Sequence, residues 1–288
     1  MSGAPGRAVG RRPRIVATDL DGTLLDADGL VSARTASVLH RLVDEGIEVI
    51  FVTARPPRWL DGLVDAVADH GVVICLNGAL VLDVTHRRVL EVHPIADEVV
   101  AQVAADVRRE LPGATFALER GAGFAAEHTF PAQHPVPAGS PMAGRVEDLL
   151  DGATAKLLVR CPAVSDADLT ALLDAAVGTR AVVMDSGAHG LGEIAALGVS
   201  KATSLAAWVA SRGVEPRDVW AFGDMPNDLP MLRWAGRALA VANAHPRVLA
   251  EADEVCGAHT DDGVARRLEE LVLSWTGDPG ARPIGSTR

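Results

Sequence analysis

The chain predicts an α/β fold, with a parallel sheet flanked by helices and an α+β segment inserted into it. Three observations carry this expectation. Short apolar runs alternate with amphipathic stretches over 14–82, the same rhythm resumes after Ser200, and paired short strands with helices between them fill the middle. At 288 residues, with 48% hydrophobic and 23% charged side chains, the chain is long enough to bury a sizeable core. The simplest organisation is one core built from 14–82 and 193–275, an insertion over 83–192, and loose tails at 1–13 and 276–288.

The elements follow in order. Ile15-Val16-Ala17-Thr18 reads as a buried strand, and a hairpin-like segment over 24–32 carries the turn signal Asp28-Gly29. A helix over 33–45 places Val38, Leu39 and Leu42 at helical spacing and stops at Gly46. A strand over 48–52, a helix over 59–70 and a strand over 71–76 complete the first βαβ run. The middle gives a helix over 96–111, strands over 115–119 and 124–128, a proline-bearing loop, and a strand over 156–160. Ser165 is placed to cap a helix ending near 176, with strands over 181–185 and 191–195 beyond it. The return gives a helix over 201–211, a strand over 218–222, a helix over 228–235 and a strand over 238–241.

Charge and cysteine usage narrow the function classes. The formal charge of −11 repels nucleic acid and anionic membrane surfaces, so a phosphate-binding site would need its own local positive charge. Cys75, Cys161 and Cys256 lack metal-ligand spacing, and scattered thiols fit a reducing cytoplasm. No apolar stretch reaches membrane-spanning length, and the N-terminus lacks the layout of a signal peptide.

Reactive residues gather at the strand ends. Asp19 and Asp21 stand two apart, and strand periodicity would turn both toward one site while Leu20 faces the core. Two carboxylates that close call for a cation, and their hard oxygen atoms suit Mg²⁺; an Asp-rich turn capping a strand is the plainer reading. Thr53, Asn77 and Asp224 end the other core strands, and in open α/β sheets such ends converge on one crevice. Asp224 offers a third carboxylate, and Asp228 is placed either to touch a metal or to favour a helix N-terminus. Lys201, at the return from the insertion, offers the positive charge that the net balance lacks.

The segments D-L-D-G-T-L (19–24), V-T-A-R (52–55), G-V-S-K (198–201) and G-D-M-P-N-D (223–228) resemble, in order, the four motifs of the haloacid dehalogenase superfamily. Asn77-Gly78-Ala79 and the position of the insertion resemble its Cof-type hydrolases, which carry a type IIB cap. The likeness spans about 14–275. It implies a Rossmann-like core under an α+β cap, and Mg²⁺-dependent phosphoryl transfer through an aspartyl-phosphate. Carried onto these positions, Asp19 is the nucleophile and Asp21 the acid and base. The Asp19 carboxylate, the Asp21 carbonyl and Asp224 would ligate Mg²⁺, and Asp228 would support Lys201 or the metal shell. Thr53, Lys201 and Asn227 would hold the phosphoryl oxygens, with Asn77 and Arg55 as further substrate contacts. Arg55 touches substrate or braces the loop after Thr53, and the sequence leaves both open. Ala54 stands where the second motif commonly has glycine, and Met225-Pro226 where a more polar pair is common; neither removes a charged group.

The resemblance implies a cytoplasmic phosphatase acting on a small phosphorylated metabolite such as a sugar phosphate. The alternatives are a phosphosugar mutase and a phosphate-ligand binding module without turnover. Glu119, Arg120, Glu127, His128 and His134 lie on or after the hairpin around Gly121–Gly123 and are the cap candidates for contact with the substrate's far end, with ordinary exposed polar residues as the alternative.

Overall fold

The first apolar run forms β1 (Ile15–Thr18), buried along its whole length. The computed structural model describes residues 12–64, 67, 70–184 and 189–276, so the tails expected at 1–13 and 276–288 fall almost wholly outside it. The segment 24–32 is a loop rather than a hairpin: the Asp26 carboxylate accepts from the N–H groups of Asp28 and Leu30 at 3.0 and 2.9 Å, which closes the turn without strand pairing. Ser32 caps α1 (Ala33–Asp44) by accepting the Thr35 N–H, and Val38, Leu39 and Leu42 form its buried face. Strands β2 (Glu48–Val52) and β3 (Val72–Cys75) run parallel to β1.

Between β2 and β3 the structure departs from the predicted helix over 59–70. Its described part holds two short 3-10 turns, Pro57–Trp59 and Asp61–Leu63, while residues 65, 66, 68 and 69 lie outside the described residues. Paired prolines at 56 and 57 remove N–H donors, and Gly62 weakens any longer helix. After β3 the chain turns through Leu76–Gly78 into β4 (Leu80–Asp83) and β5 (Arg88–Val92), both antiparallel in the same sheet. Strand pairing therefore carries the core sheet past residue 83, where the sequence places the start of the insertion.

The second sheet is built from the middle of the chain. In order come α2 (Asp97–Glu110), β6 (Thr115–Arg120), β7 (Gly123–Glu127), β8 (Met142–Ala143), β9 (Lys156–Arg160), α3 (Asp166–Val177), β10 (Ala181–Met184) and β11 (Gly192–Ala196). Ser165 caps α3 through the Asp168 N–H, as its position predicts, and Asp185 of the predicted strand lies outside the described residues. The six strands order as β10-β11-β9-β6-β7-β8. Strand alternation gives this sheet two different faces. Phe116, Leu118, Leu157 and Val159 pack under α2 and α3, while Ala117, Phe124, Ala126 and Leu158 form a small separate apolar platform on the other side.

The chain returns through α4 (Lys201–Ser211), β12 (Val219–Gly223), α5 (Leu229–Trp234), β13 (Arg237–Val241), α6 (Pro246–Leu249), β14 (Glu254–Cys256) and α7 (Gly263–Thr276). The core sheet has the order β14-β13-β12-β1-β2-β3-β4-β5, with α1 packed on α7 and α4 on α5. At β1 the order reverses: the chain first moves outward to β2 and later returns on the other side at β12. A crevice opens at such a switch point, beyond the carboxyl ends of the strands, and Asp19 and Asp224 directly follow β1 and β12.

Candidate active site

β1 ends at Thr18, so strand alternation does not align Asp19 with Asp21; the turn over Leu20–Leu24 does that work. Gly22 makes the turn possible. It sits at φ +74°, and a Cβ there would come within 2.5 Å of Asp224 Oδ2. Thr23 Oγ1 donates to the other Asp224 oxygen at 2.9 Å, and Asn243 donates to the Gly22 carbonyl at 2.8 Å. Asp19 is buried, whereas the Asp21 side chain is 56% exposed and turned toward Arg55. Arg55 grips both Asp21 oxygens, with Nη2 at 2.5 Å from Oδ1 and Nε at 2.8 Å from Oδ2.

Lys201 closes the site from the other half of the chain. Ser200 and Thr203 form a capping box at the start of α4, and Gly78 lets that helix end approach, since a Cβ at 78 would fall 2.3 Å from the Ser200 carbonyl. The buried Lys201 ammonium lies 2.6 Å from Asp19 Oδ1 and 2.7 Å from Asp228 Oδ1. Burial alone would lower its pKa, but the two carboxylates outweigh burial and hold it above the usual lysine value. Asp228 spends its second oxygen on the backbone N–H groups of Asp224 and Met225, at 3.1 and 3.0 Å.

Carboxylate oxygens of Asp19, Asp224 and Asp228 all lie within 4.8 Å of one another. Burial, opposed by Lys201, pushes the Asp19 carboxyl above its usual range. Burial followed by Asp228 pushes Asp224 up to about 6. Three buried acids around one ammonium remain short of positive charge, and an all-oxygen donor set of this kind fits Mg²⁺. With Asp228 already committed to Lys201 and two N–H groups, Asp19 and Asp224 are the carboxylates left to face such an ion.

The strand ends beside β1 are tied together. Leu76 and Asn77 both adopt left-handed backbone angles, φ +53° and +58°, which is costly for a leucine. Their N–H groups donate to the carbonyls of Arg55 and Thr53 at 3.1 and 3.0 Å, which holds the strained turn in place. Asn77 accepts from Asn227 at 3.4 Å and donates to Glu193 at 3.5 Å. Asn227 Oδ1 is buried with no partner. Thr53 is fully buried at the end of β2, and its hydroxyl accepts the Arg55 N–H at 3.1 Å.

Above these groups lies a cavity of about 610 Å³ between the two sheets. Asp19, Asp21, Arg55, Lys201 and Asn227 line it from the core; Thr53, Asn77, Asp224 and Asp228 are buried and not part of its wall. Of the five cap candidates, only Glu119 and His134 reach it. Arg120 turns to Asp151 and the Leu149 carbonyl, and Glu127 to Arg108 and the N–H groups of Phe116 and Val146. Strand alternation explains both: Arg120 sits one position from Glu119 and Glu127 three from Phe124, which puts each on the face opposite a cavity-lining residue. His128 is exposed outside the cavity wall.

Residues missing from the sequence expectation supply the rest of the wall. Arg58 pairs with Glu119 at 2.5 Å and lies over the rings of Trp59 and Phe124, 4.7 and 5.1 Å from their centres. Trp59 meets His134 edge to face, with centroids 4.5 Å apart. Lys156, 1% exposed, pairs with Glu193 at 2.9 Å and reaches the Ala54 carbonyl at 3.4 Å. The alternation Lys156, Leu158, Arg160 was the available signal, since it places all three on one face of β9.

The family model for haloacid dehalogenase-like hydrolases matches residues 16–268. The chain belongs to this family. It is a haloacid dehalogenase-like hydrolase of the Cof type, similar to the pyridoxal phosphate phosphatase YbhA of Escherichia coli, with 29% identity over 272 residues, 90% of this chain and 99% of that one. Among solved structures it resembles a phosphatase of the haloalkanoate superfamily from Bacteroides thetaiotaomicron (TM-score 0.77, 25% identity), which covers 94% of this hydrolase and 99% of that chain. A sugar phosphatase of subclass IIB shares the fold, with TM-score 0.74 at 18% identity over 90% of this chain and 98% of that one. That likeness shows a shared fold, and the fold class is the α/β core with α+β cap that the sequence predicts.

Proposed function

We propose that this hydrolase is a Mg²⁺-dependent phosphatase that cleaves a small phosphorylated metabolite through an aspartyl-phosphate on Asp19. The observation that carries the reading is the buried cluster of Asp19, Asp224 and Asp228 beside Lys201, of which Asp19 and Lys201 open onto a cavity large enough for a metabolite. The phosphatase named among its relatives, which acts on pyridoxal phosphate, supports the substrate class.

In the proposed reaction the Asp19 carboxylate attacks phosphorus in line with the leaving oxygen. The phosphorus–oxygen bond to the leaving group breaks, and Asp21 gives its proton to that oxygen. Asp21 then takes a proton from a water whose oxygen attacks the phosphorus of the acyl phosphate. Inorganic phosphate departs and the Asp19 carboxylate is restored. Asp19, the Asp21 carbonyl and Asp224 would hold Mg²⁺, which would supply positive charge against the phosphoryl oxygens. Lys201, oriented by Asp228, and Asn227, through its Nδ2 amide, complete the phosphate clamp, with Thr53 and Asn77 holding the loops that carry it. Proton transfer at Asp21 requires Arg55 to release an oxygen, so Arg55 both braces the loop and meets the incoming substrate.

The reading also places the protein in the cytoplasm, consistent with its free thiols, and no described helix is long and apolar enough to cross a membrane. The test is turnover of p-nitrophenyl phosphate by the purified protein. The expected result is phosphate release that requires Mg²⁺, stops with EDTA and is abolished by Asp19→Asn. Metal-independent turnover that survives Asp19→Asn would contradict the mechanism.

A further inference from the structure

Among the described residues, five cationic side chains line the cavity: Arg55, Arg58, Lys156, Arg160 and Lys201. Four are matched by a carboxylate: Arg55 by Asp21 and Arg58 by Glu119, each at 2.5 Å, Lys156 by Glu193 at 2.9 Å, and Lys201 by Asp19 at 2.6 Å. Among the described residues Arg160 has no carboxylate within ion-pair distance, although it is only 8% exposed. Its Nη1 donates to the carbonyls of His189 and Gly190 at 3.3 and 3.1 Å, which fixes the guanidinium plane. Its Nε is buried with no hydrogen-bond partner. Among the described residues the Asp166 carboxylate acts on it only from beyond ion-pair distance, held by the His189 ring and the Gly190 N–H, so the buried cation is weakly compensated, and the planar fork of an arginine suits a carboxylate or a phosphate.

The register of β9 says where this group stands. Lys156, Leu158 and Arg160 share one face, and Lys156 touches the core at the Ala54 carbonyl. Arg160 is four residues on, about 13 Å further along the strand. Leu158 lies between, flanked by the apolar platform of Phe124 and Phe130 and by Leu191. The cavity is thus charged where it meets the core, apolar in the middle, and ends on a cation that forms no ion pair among the described residues.

We propose that Arg160 forms a subsite for a second anionic group, so that the substrates are phosphomonoesters bearing a carboxylate or a further phosphate at the end remote from the scissile bond. This deepens the phosphatase reading and rests on it. The preference is assigned to Arg160 because Arg55 and Lys201 serve the scissile phosphate and Arg58 and Lys156 are paired with Glu119 and Glu193.

The experiment compares kcat/KM within matched pairs of esters. One arm pairs phosphomonoesters carrying a free carboxylate with their methyl esters, and the other pairs bisphosphates with the monophosphates that lack the second group. The wild type is expected to favour the charged member of at least one pair by about tenfold or more, the scale of a hydrogen bond to a charged group. That ratio should collapse toward one in Arg160→Met and be partly kept in Arg160→Lys. A general loss of activity cancels in the ratio, and the arm that responds identifies the anion. Absence of a preference for either anion in the wild type, or a preference that survives Arg160→Met, overturns the subsite. Failure of the wild type to hydrolyse p-nitrophenyl phosphate with Mg²⁺ would instead sink the phosphatase reading.

Discussion

Asp19 sits where three constraints meet: its backbone extends the β1–β12 ladder through a bond to the Phe222 carbonyl, one of its oxygens takes Lys201, and its neighbours are two further acids. Gly22 is what lets those acids come together. Gly22→Ala would force a left-handed alanine against Asp224, and we expect a loss of about 1–3 kcal/mol in urea unfolding together with weakened Mg²⁺ dependence. Unchanged stability and metal response in that variant would show that the close approach is not needed. Asp19, Thr53 and Asp224 are legible in the sequence because each directly follows an apolar strand. The pairing of Asp21 with Arg55 is not, because it depends on where two loops fold over the crevice. Arg160 is equally hidden, since the orphaned Nε and the absence of a carboxylate within ion-pair distance among the described residues depend on everything packed around it.

At the scale of elements, the parallel strands were the most readable parts. β1, β2 and β12 are buried on both faces and so appear as unbroken apolar runs. The β4–β5 hairpin is silent in the sequence for a physical reason: its turn uses Arg87 at φ +50° where a glycine or asparagine would signal it, and β5 is a largely exposed edge strand. The Lys156–Glu193 pair was also out of reach, because only the pairing of β9 with β11 brings residues 37 apart together. Its burial makes a sharp prediction. Lys156→Met alone leaves the Glu193 carboxylate buried and should cost about 3–5 kcal/mol, whereas adding Glu193→Leu should restore most of the loss. Denaturant melts of the two singles and the double measure this, and additive losses in the double would refute the coupling.

For the whole molecule, the cap meets the core through Arg58–Glu119, Lys156–Ala54 and Asn77–Glu193, so the cavity is walled by both halves of the fold. Its floor concentrates acid in a chain already at −11. Mg²⁺ should therefore stabilise the folded protein by mass action, by about 2.7 kcal/mol at a hundredfold excess over Kd, seen as a rise of several degrees in Tm. Asp224→Asn should abolish most of that rise, and an undiminished rise would place the ion elsewhere. The same negative field should slow the approach of anionic substrates, so kcat/KM is expected to increase modestly with added monovalent salt at fixed Mg²⁺. A steep fall would mean that local positive charge at the cavity mouth dominates. The central claim is covalent catalysis at Asp19, and acid quenching during turnover of a phosphomonoester by the Asp21→Asn variant, followed by peptide mass spectrometry, tests it most directly. The account predicts a hydroxylamine-sensitive phosphoryl group on the peptide carrying Asp19; continued phosphate release with no such adduct at any quench time would contradict it.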